Sequence, residues 1–106
     1  MKAIAIYPSG RYDVIDGGYE SIHAALGGYL EIAPTPGAPF VMYVNEHGKL
    51  NGLPFNLAAN ELANRYRSWR DPLVGPAVLV GLPDNNGNDT EFTLGDFARV
   101  LETPEG

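Results

Sequence analysis

Two short runs of the sequence are apolar at every position, and they constrain the fold more than any other feature. Phe40–Val44 and Ala77–Leu82 have the length of β-strands, and a strand without polar alternation is typical of one covered on both faces. We therefore expect both runs to be central strands of a sheet. A chain of 106 residues is too short to form two units that each bury a good core, so we predict a single domain.

Three further segments have strand character. Ala3–Tyr7 and Arg11–Ile15 flank a Pro-Ser-Gly turn and are expected to pair as a hairpin. Tyr29–Ala33 alternates polar and apolar residues, as a strand with one buried face does. Residues 34–39 include three prolines, which lack the N–H donors of a strand and so favour a surface loop.

Three segments are predicted to be helical. The first ends at Gly27, because glycine adopts the left-handed C-terminal conformation without strain. The second begins at Asn56 as N-cap and ends before Pro72. The third begins at Thr93, with Asp96 completing a short capping box. The predicted apolar face of the second helix is Ala58, Leu62, Tyr66 and Trp69, and that of the third is Leu94, Phe97, Ala98 and Leu101.

The order of these elements indicates an α+β fold. We predict a single mixed sheet of about five strands with about three helices packed mainly on one face. Within the one domain, residues 1–15 form an N-terminal hairpin, residues 16–81 a core that carries the polar motifs, and residues 90–103 a C-terminal helix region.

Composition excludes several functional classes. Thirteen acidic residues against seven basic ones give a net charge of −6, which repels phosphate backbones, so nonspecific nucleic-acid binding is not expected. The absence of cysteine excludes disulfides and thiolate chemistry. The apolar stretch Ala3–Ile6 is too short for a signal peptide or a membrane span, so we expect a cytoplasmic protein without membrane association.

The sequence offers little material for catalysis or metal binding. Only His23 and His47 are histidines, and no serine stands beside a base and an orienting group in the pattern that nucleophilic catalysis needs. Residues 84–89 resemble a calcium loop, but Gly95 stands where the bidentate glutamate is required. We expect no catalytic residue, no metal and no cofactor. The enzymatic alternative is a hydrolase with Glu46 or His47 as general base.

Hydrogen-bonding side chains are concentrated between residues 45 and 60. They are Asn45, Glu46, His47, Lys49, Asn51, Asn56 and Asn60. Amides beside a carboxylate and an ammonium suit a polar ligand such as a sugar or a nucleotide, because directional hydrogen bonds offset desolvation. The helix N-terminus at Asn56 also favours an anion such as phosphate.

Three stretches of the sequence carry a resemblance to known proteins. They are Gly27–Glu31, Tyr43–Asn56 and Asp71–Val78, which contain the patterns GGYxE, YVNExGKLxGLPxN and VGxAV in this order. Over Ile22–Gly81, the chain resembles a family of short uncharacterised proteins, a domain of unknown function, carried by phages and plasmids. The resemblance implies an accessory gene of a mobile element, and the host-cell cytoplasm if the gene is phage-encoded.

The resemblance supplies no catalytic residue, but it adds motif positions to the candidate site. By position it adds Tyr29, Glu31 and Tyr43. The candidate ligand- or partner-binding residues are therefore Tyr29, Glu31, Tyr43, Asn45, Glu46, Lys49, Asn56 and Asn60.

The function that we expect from these features is stoichiometric binding that neutralises a host protein or sequesters a small nucleotide-like signal. A protein partner requires an exposed apolar patch, for which Phe55, Tyr66 and Trp69 are candidates. A small ligand requires a polar pocket near the central motif. The alternative is a structural or regulatory homo-oligomer that pairs through an edge strand such as Arg11–Ile15.

Overall fold

The computed structural model describes residues 1–68 and 71–102. Within these residues, five strands form one sheet and three helices pack against it, which confirms the predicted α+β fold. The strands are β1 (Lys2–Ile6), β2 (Tyr12–Asp16), β3 (Leu30–Ala33), β4 (Val41–Asn45) and β5 (Ala77–Val80). The helices are α1 (Tyr19–Leu26), α2 (Leu57–Ala63) and α3 (Leu94–Glu102).

The sheet has the strand order β2-β1-β5-β4-β3, and every neighbouring pair is antiparallel. The sheet is therefore antiparallel throughout, and the predicted mixed sheet is wrong in this respect. The cause lies in the long connection from β4 to β5. Val44 near the end of β4 pairs with Ala77 at the start of β5, so this connection leaves and re-enters the sheet at the same end. A parallel neighbour would require a crossover that returns the chain to the opposite end.

Both faces of the central strands are covered. On one face, α2 and α3 pack against a core that includes Ile4, Met42 and Leu79. On the other face, α1 covers a smaller core that includes Ala5 and Val78. All four residues of β5 are buried, which agrees with its predicted central position. Two helices thus lie on one face of the sheet and one helix lies on the other.

Helix α2 is shorter than its apolar periodicity predicts. It ends at Ala63, and the backbone amides of Arg65 and Tyr66 donate to carbonyls three residues earlier, which tightens the chain into a turn. Tyr66 lies beyond the helix but still packs on the core, with its ring centroid 5.5 Å from that of Phe40. Trp69 lies outside the described residues. The buried residues of α2 are Ala59, Asn60, Leu62 and Ala63.

Helix α3 begins with the predicted capping box but turns a different face to the core. The Thr93 amide donates to Asp96 Oδ2 at 2.9 Å, and the Asp96 amide donates to Thr93 Oγ1 at 3.1 Å. Phe97 and Val100 are buried, whereas Leu94 and Leu101 are about half exposed. Phe97 and Val100, three residues apart on one face of the helix, join the core, and the flanking leucines remain accessible.

Candidate functional site

Asn45 joins the end of β4 to the end of helix α1. Its side chain is buried, and Nδ2 donates to the Leu26 carbonyl at 3.1 Å. Its Oδ1 accepts from the His47 amide at 2.8 Å, which starts the turn that leads into the polar motif. The Gly48 amide donates to the Asn45 carbonyl at 3.1 Å and closes that turn. Asn45 therefore positions the polar motif and uses both ends of its amide to do so.

Asn56 is fully buried at the start of α2. Its Oδ1 accepts from the Ala59 amide at 3.0 Å, as predicted for an N-cap. Its Nδ2 donates to the carbonyls of Ile6 at 3.0 Å and Gly75 at 2.9 Å. Asn56 thus holds β1, the start of α2 and the segment before β5 together, and its polar atoms face the protein interior.

Asn60 lies one turn after Asn56 and is also buried. Its Nδ2 donates to the Leu73 carbonyl at 2.8 Å, and its Oδ1 accepts from the Leu73 amide at 2.9 Å. This reciprocal pair fixes the chain segment that enters β5. The side chains of Asn45, Asn56 and Asn60 therefore all bond to the backbone of the protein itself.

Arg67 belongs to the same buried network, because its Nη2 donates to Asn60 Oδ1 at 3.5 Å. Its Nε donates to Asn64 Oδ1 at 2.9 Å and its Nη2 to the Asp71 carbonyl at 2.8 Å. Because α2 ends at Ala63, the chain turns and directs Arg67 inward. No local pattern in the sequence signals this role, because it depends on where the helix stops.

Tyr43 and Tyr29 lie apart from this network. The hydroxyl of Tyr43 donates to the Asp89 carboxylate at 2.9 and 3.1 Å on the face of the sheet that carries α1. Burial and this carboxylate raise the pKa of Tyr43 to about 12. Tyr29 is exposed, and its ring centroid lies 5.4 Å from that of His23 on α1. Neither phenol points to the polar atoms of the buried asparagines.

Glu31, Glu46 and Lys49 are brought together at a groove of about 260 Å³ on the opposite face. The β3–β4 register places Glu31 across from Val44, and the Glu46 amide donates to the Tyr29 carbonyl at 2.9 Å. Glu31 and Glu46 are consequently diagonal neighbours across the two strands. We call this surface the acidic groove. Among the described residues, it is lined by Glu31, Val44, Asn45, Glu46, Gly48, Lys49, Leu50, Asp71, Pro72, Leu73 and Val74.

The charges of the acidic groove are unbalanced. Lys49 forms an ion pair with Asp71, and both side chains are more than half exposed. Among the described residues, no hydrogen bond or ion pair engages the side chains of Glu31 and Glu46. The groove therefore presents two carboxylates that have no ion-pair partner in the part of the chain that the structure describes, a combination that sequence spacing alone did not reveal. Pairing Tyr29–Ala33 with Phe40–Val44 as a hairpin would have placed these two carboxylates together.

Two glycines pack closely at or next to the groove: Gly48 lines it, and Gly75 follows its wall residue Val74 in the chain. A Cβ on Gly48 would lie 3.1 Å from Val74 Cγ2, so the turn packs closely on the groove wall. Gly75 has a φ of 74°, and a Cβ there would lie 2.6 Å from Leu53 Cδ1. A side chain at Gly75 would be strained in both respects, so this position requires glycine.

Of the residues predicted for a protein patch, Phe55 and Tyr66 are only partly exposed. Phe55 is 52% exposed beside Val74, with which its backbone forms an isolated bridge. Leu50, at the tip of the motif and in the wall of the acidic groove, is 86% exposed. Tyr66 instead lines a larger cavity of about 580 Å³ beside α3, which contains none of the eight predicted site residues.

The described residues contain no candidate metal site and no candidate membrane-spanning helix. No three histidine or acidic side chains lie close enough together there to hold a metal ion. None of the helices is both long and apolar enough to cross a membrane, as far as residues 1–68 and 71–102 are concerned.

The fold and the acidic groove define a small α+β protein with a charged surface site. The chain belongs to the family described as domain of unknown function DUF3846, whose model matches residues 1–104. The match confirms that the chain is a domain of unknown function, and it covers nearly the whole chain. No curated protein and no solved structure matches the chain.

Proposed function

We propose that this protein is an accessory protein of phage or mobile-element type that acts by stoichiometric binding, and that the acidic groove takes a basic side chain of a host protein. The observation that carries the proposal is the pair of carboxylates, Glu31 and Glu46, that face the groove without a counter-charge among the described residues. The mobile-element setting rests on the resemblance of the central motif. Binding without turnover fits a groove in which Lys49, the only basic group that the described residues contribute, is already paired with Asp71.

The charge of the groove favours a cation over a phosphate. Glu31, Glu46 and Asp71 contribute three negative charges, and Lys49 contributes one positive charge. The whole chain, including the groove, has a net charge of −6, so the surrounding field also attracts cations and repels anions. The sequence suggested a nucleotide because of its asparagines, but Asn45, Asn56 and Asn60 form their hydrogen bonds within the protein itself. A guanidinium or ammonium group therefore fits the groove better than a nucleotide-like signal does.

The size of the groove and its neighbours favour a protein as the source of that cation. About 260 Å³ is below the usual range of pockets that enclose a small molecule. Leu50 stands 86% exposed at the rim, which suits an apolar contact beside the charged one. Central apolar anchors surrounded by polar contacts are typical of protein interfaces.

The proposal is tested first with short peptides and NMR. We would titrate a blocked tetra-arginine peptide, a blocked tetra-glutamate peptide and a nucleoside monophosphate against the labelled protein and follow the backbone amide shifts. We expect the arginine peptide alone to shift amides around Glu31, Glu46 and Leu73. The double variant Glu31→Gln, Glu46→Gln should weaken this binding by about tenfold, or about 1.4 kcal/mol for two exposed ion pairs.

The matched control is Glu20→Gln, Glu61→Gln, which removes the same charge from two exposed positions outside the groove. It should bind the arginine peptide like the unmodified protein. Equal weakening by both double variants would show that binding follows net charge rather than the groove. Shifts caused by the nucleotide at the groove would reverse the choice of ligand. The same pair of variants then decides whether a host protein captured from lysate binds through the groove.

A further inference from the structure

Within residues 1–68 and 71–102, strand β2 forms one free edge of the sheet. It pairs with β1 over five consecutive residues from Tyr12 to Asp16, in an uninterrupted register without a bulge. A regular free edge presents unpaired N–H and C=O groups to any further strand. The outward backbone groups and side chains of β2 therefore determine which strand it can pair with.

The hydrogen bonds next to β2 show which of its backbone groups point outward. The Tyr7 amide donates to the Arg11 carbonyl at 2.8 Å, and the Gly17 amide donates to the Met1 carbonyl at 2.9 Å. Backbone groups in an antiparallel pair alternate in direction, so the odd-numbered residues between 11 and 17 face β1. The N–H and C=O groups of Tyr12, Val14 and Asp16 therefore point away from the sheet.

The other free edge, β3, is less suited to pairing. The Glu46 amide donates to the Tyr29 carbonyl, so the same alternation leaves Leu30 and Ile32 facing outward on β3. The next outward position is Pro34, which has no N–H to donate. Strand β2 offers three outward residues and carries neither proline nor lysine, the residues that commonly protect an edge.

The outward residues of β2 also expose apolar surface. Val14 is 44% exposed and Tyr12 is 51% exposed, and their partners on β1, Ile4 and Ile6, belong to the core under α2 and α3. The Tyr12 ring contacts Phe97 of α3, with a centroid distance of 5.3 Å. An apolar strip on a free backbone edge is the feature that strand addition covers.

We propose that β2 pairs in antiparallel fashion with β2 of a second copy of this chain, about a two-fold axis at Val14. This register sets Val14 against Val14 of the second copy, Tyr12 against its Asp16 and Asp13 against its Ile15. The three outward residues of each strand then face one another, and the two sheets become one. Valine against valine forms an apolar cross-strand pair, and the Tyr12 hydroxyl meets a carboxylate.

The dimer is weak and depends on salt. Each chain carries a net charge of −6, so like charges oppose association, and screening by salt reduces this repulsion. Five paired residues bury less surface than a standard interface does. We expect a monomer–dimer equilibrium in the micromolar range or weaker that shifts towards the dimer as salt is raised. The interface lies at the β2 edge and leaves the acidic groove beside β3 and β4 accessible.

The test uses charge pairs at the two-fold axis, measured by sedimentation equilibrium. Val14→Lys sets two ammonium groups against each other in the dimer, and Val14→Glu sets two carboxylates against each other. We expect each variant alone to remain monomeric and an equimolar mixture to recover a dimer of one copy of each. Because Val14 is partly exposed at an edge, both variants should fold, which circular dichroism verifies.

The matched controls are Ile32→Lys and Ile32→Glu on the β3 edge, where the residue is 57% exposed. Alone they should dimerise like the unmodified protein after correction for net charge. A monomer at every concentration and salt level would overturn the proposal. So would a dimer that survives in both Val14 variants, or folded variants whose mixture stays monomeric. Glu31→Gln, Glu46→Gln should leave the dimer intact, which separates this result from that of the acidic groove.

Discussion

The side-chain nitrogen of Asn56 donates to the backbone carbonyl of Ile6, fifty residues earlier in the chain, at 3.0 Å. The same nitrogen donates to the Gly75 carbonyl at 2.9 Å, while the side-chain oxygen caps α2. One fully buried amide thus connects the first strand, the second helix and the approach to β5. Asn56 of the polar motif thus helps to hold the elements around the hydrophobic core in place.

Replacing Asn56 by alanine should destabilise the protein strongly. The substitution leaves the Ile6 and Gly75 carbonyls and the Ala59 amide without their partner in a buried site. An unsatisfied buried polar group costs about 1–3 kcal/mol, so we expect a loss of about 3 kcal/mol or more in the free energy of unfolding. Urea denaturation measures it. Asn51→Ala, at an exposed position of the same motif, should change stability by less than about 0.5 kcal/mol.

Replacing Arg67 by lysine tests the buried guanidinium. Lysine keeps the positive charge, but it cannot donate to Asn64 and to the Asp71 carbonyl from one rigid fork. We expect a loss of about 1–3 kcal/mol in urea denaturation. Lys2→Arg, at an exposed position, is the control for the exchange of the two basic residue types. An Arg67→Lys variant as stable as the parent would show that charge alone suffices at this site.

The elements of the fold were predictable because they follow from short-range patterns. The capping box of Thr93 and Asp96, the glycine that ends α1 and the apolar strand β5 each depend on residues within a few positions. The antiparallel course of β5 was not predictable in the same way. It depends on where the long connection after β4 re-enters the sheet, and nothing local in the sequence determines that.

The residue types of the candidate site could be predicted from the sequence, but the role of each residue could not. The sequence predicts that polar residue types at 45–60 lie close together, but caps, turns and ligand sites favour the same residues. Asn60 shows the difference, because its bonds to Leu73 exist only once the segment before β5 lies on α2. Glu31 and Glu46 meet through strand register instead. The sequence therefore indicated which part of the chain is polar, whereas tertiary contacts determine which of its polar side chains are buried in the fold and which lie at the surface.

The capping box of α3 should make stability depend on pH in the acidic range. Hydrogen bonds from Thr93, and secondarily the Arg99 guanidinium, lower the pKa of Asp96 below its ordinary 3.8. The folded protein thus binds this proton less readily than the unfolded chain, so the stabilisation is present above pH 3.8 and is lost as the pH falls through the lower folded value. Asp96→Asn should flatten this part of the profile of unfolding free energy against pH.

Removing the cap acceptor provides the companion measurement. Thr93→Ala deletes the hydroxyl that accepts from the Asp96 amide and should cost about 1 kcal/mol at neutral pH. Thr35→Ala, in the proline-rich loop, is the matched substitution away from any helix start. If Asp96→Asn retained the full acid dependence, the carboxylate at the cap would not be its source.

Tyr43 should titrate later than ordinary tyrosines and should weaken the fold at alkaline pH. Burial, followed by the hydrogen bond and the charge of Asp89, raises its pKa from 10.0 to about 12. The folded protein therefore holds the phenolic proton more tightly than the unfolded chain, so this contribution to stability is complete below pH 10 and declines as the pH rises towards about 12. Ultraviolet titration of tyrosinate should show a late phenol, and Tyr43→Phe should remove it. Asp89→Asn separates the causes, because it removes the charge but not the burial: the late phenol should then titrate earlier than in the parent but still above 10.0. A return to 10.0 in that variant would mean that the carboxylate, and not burial, dominates the shift.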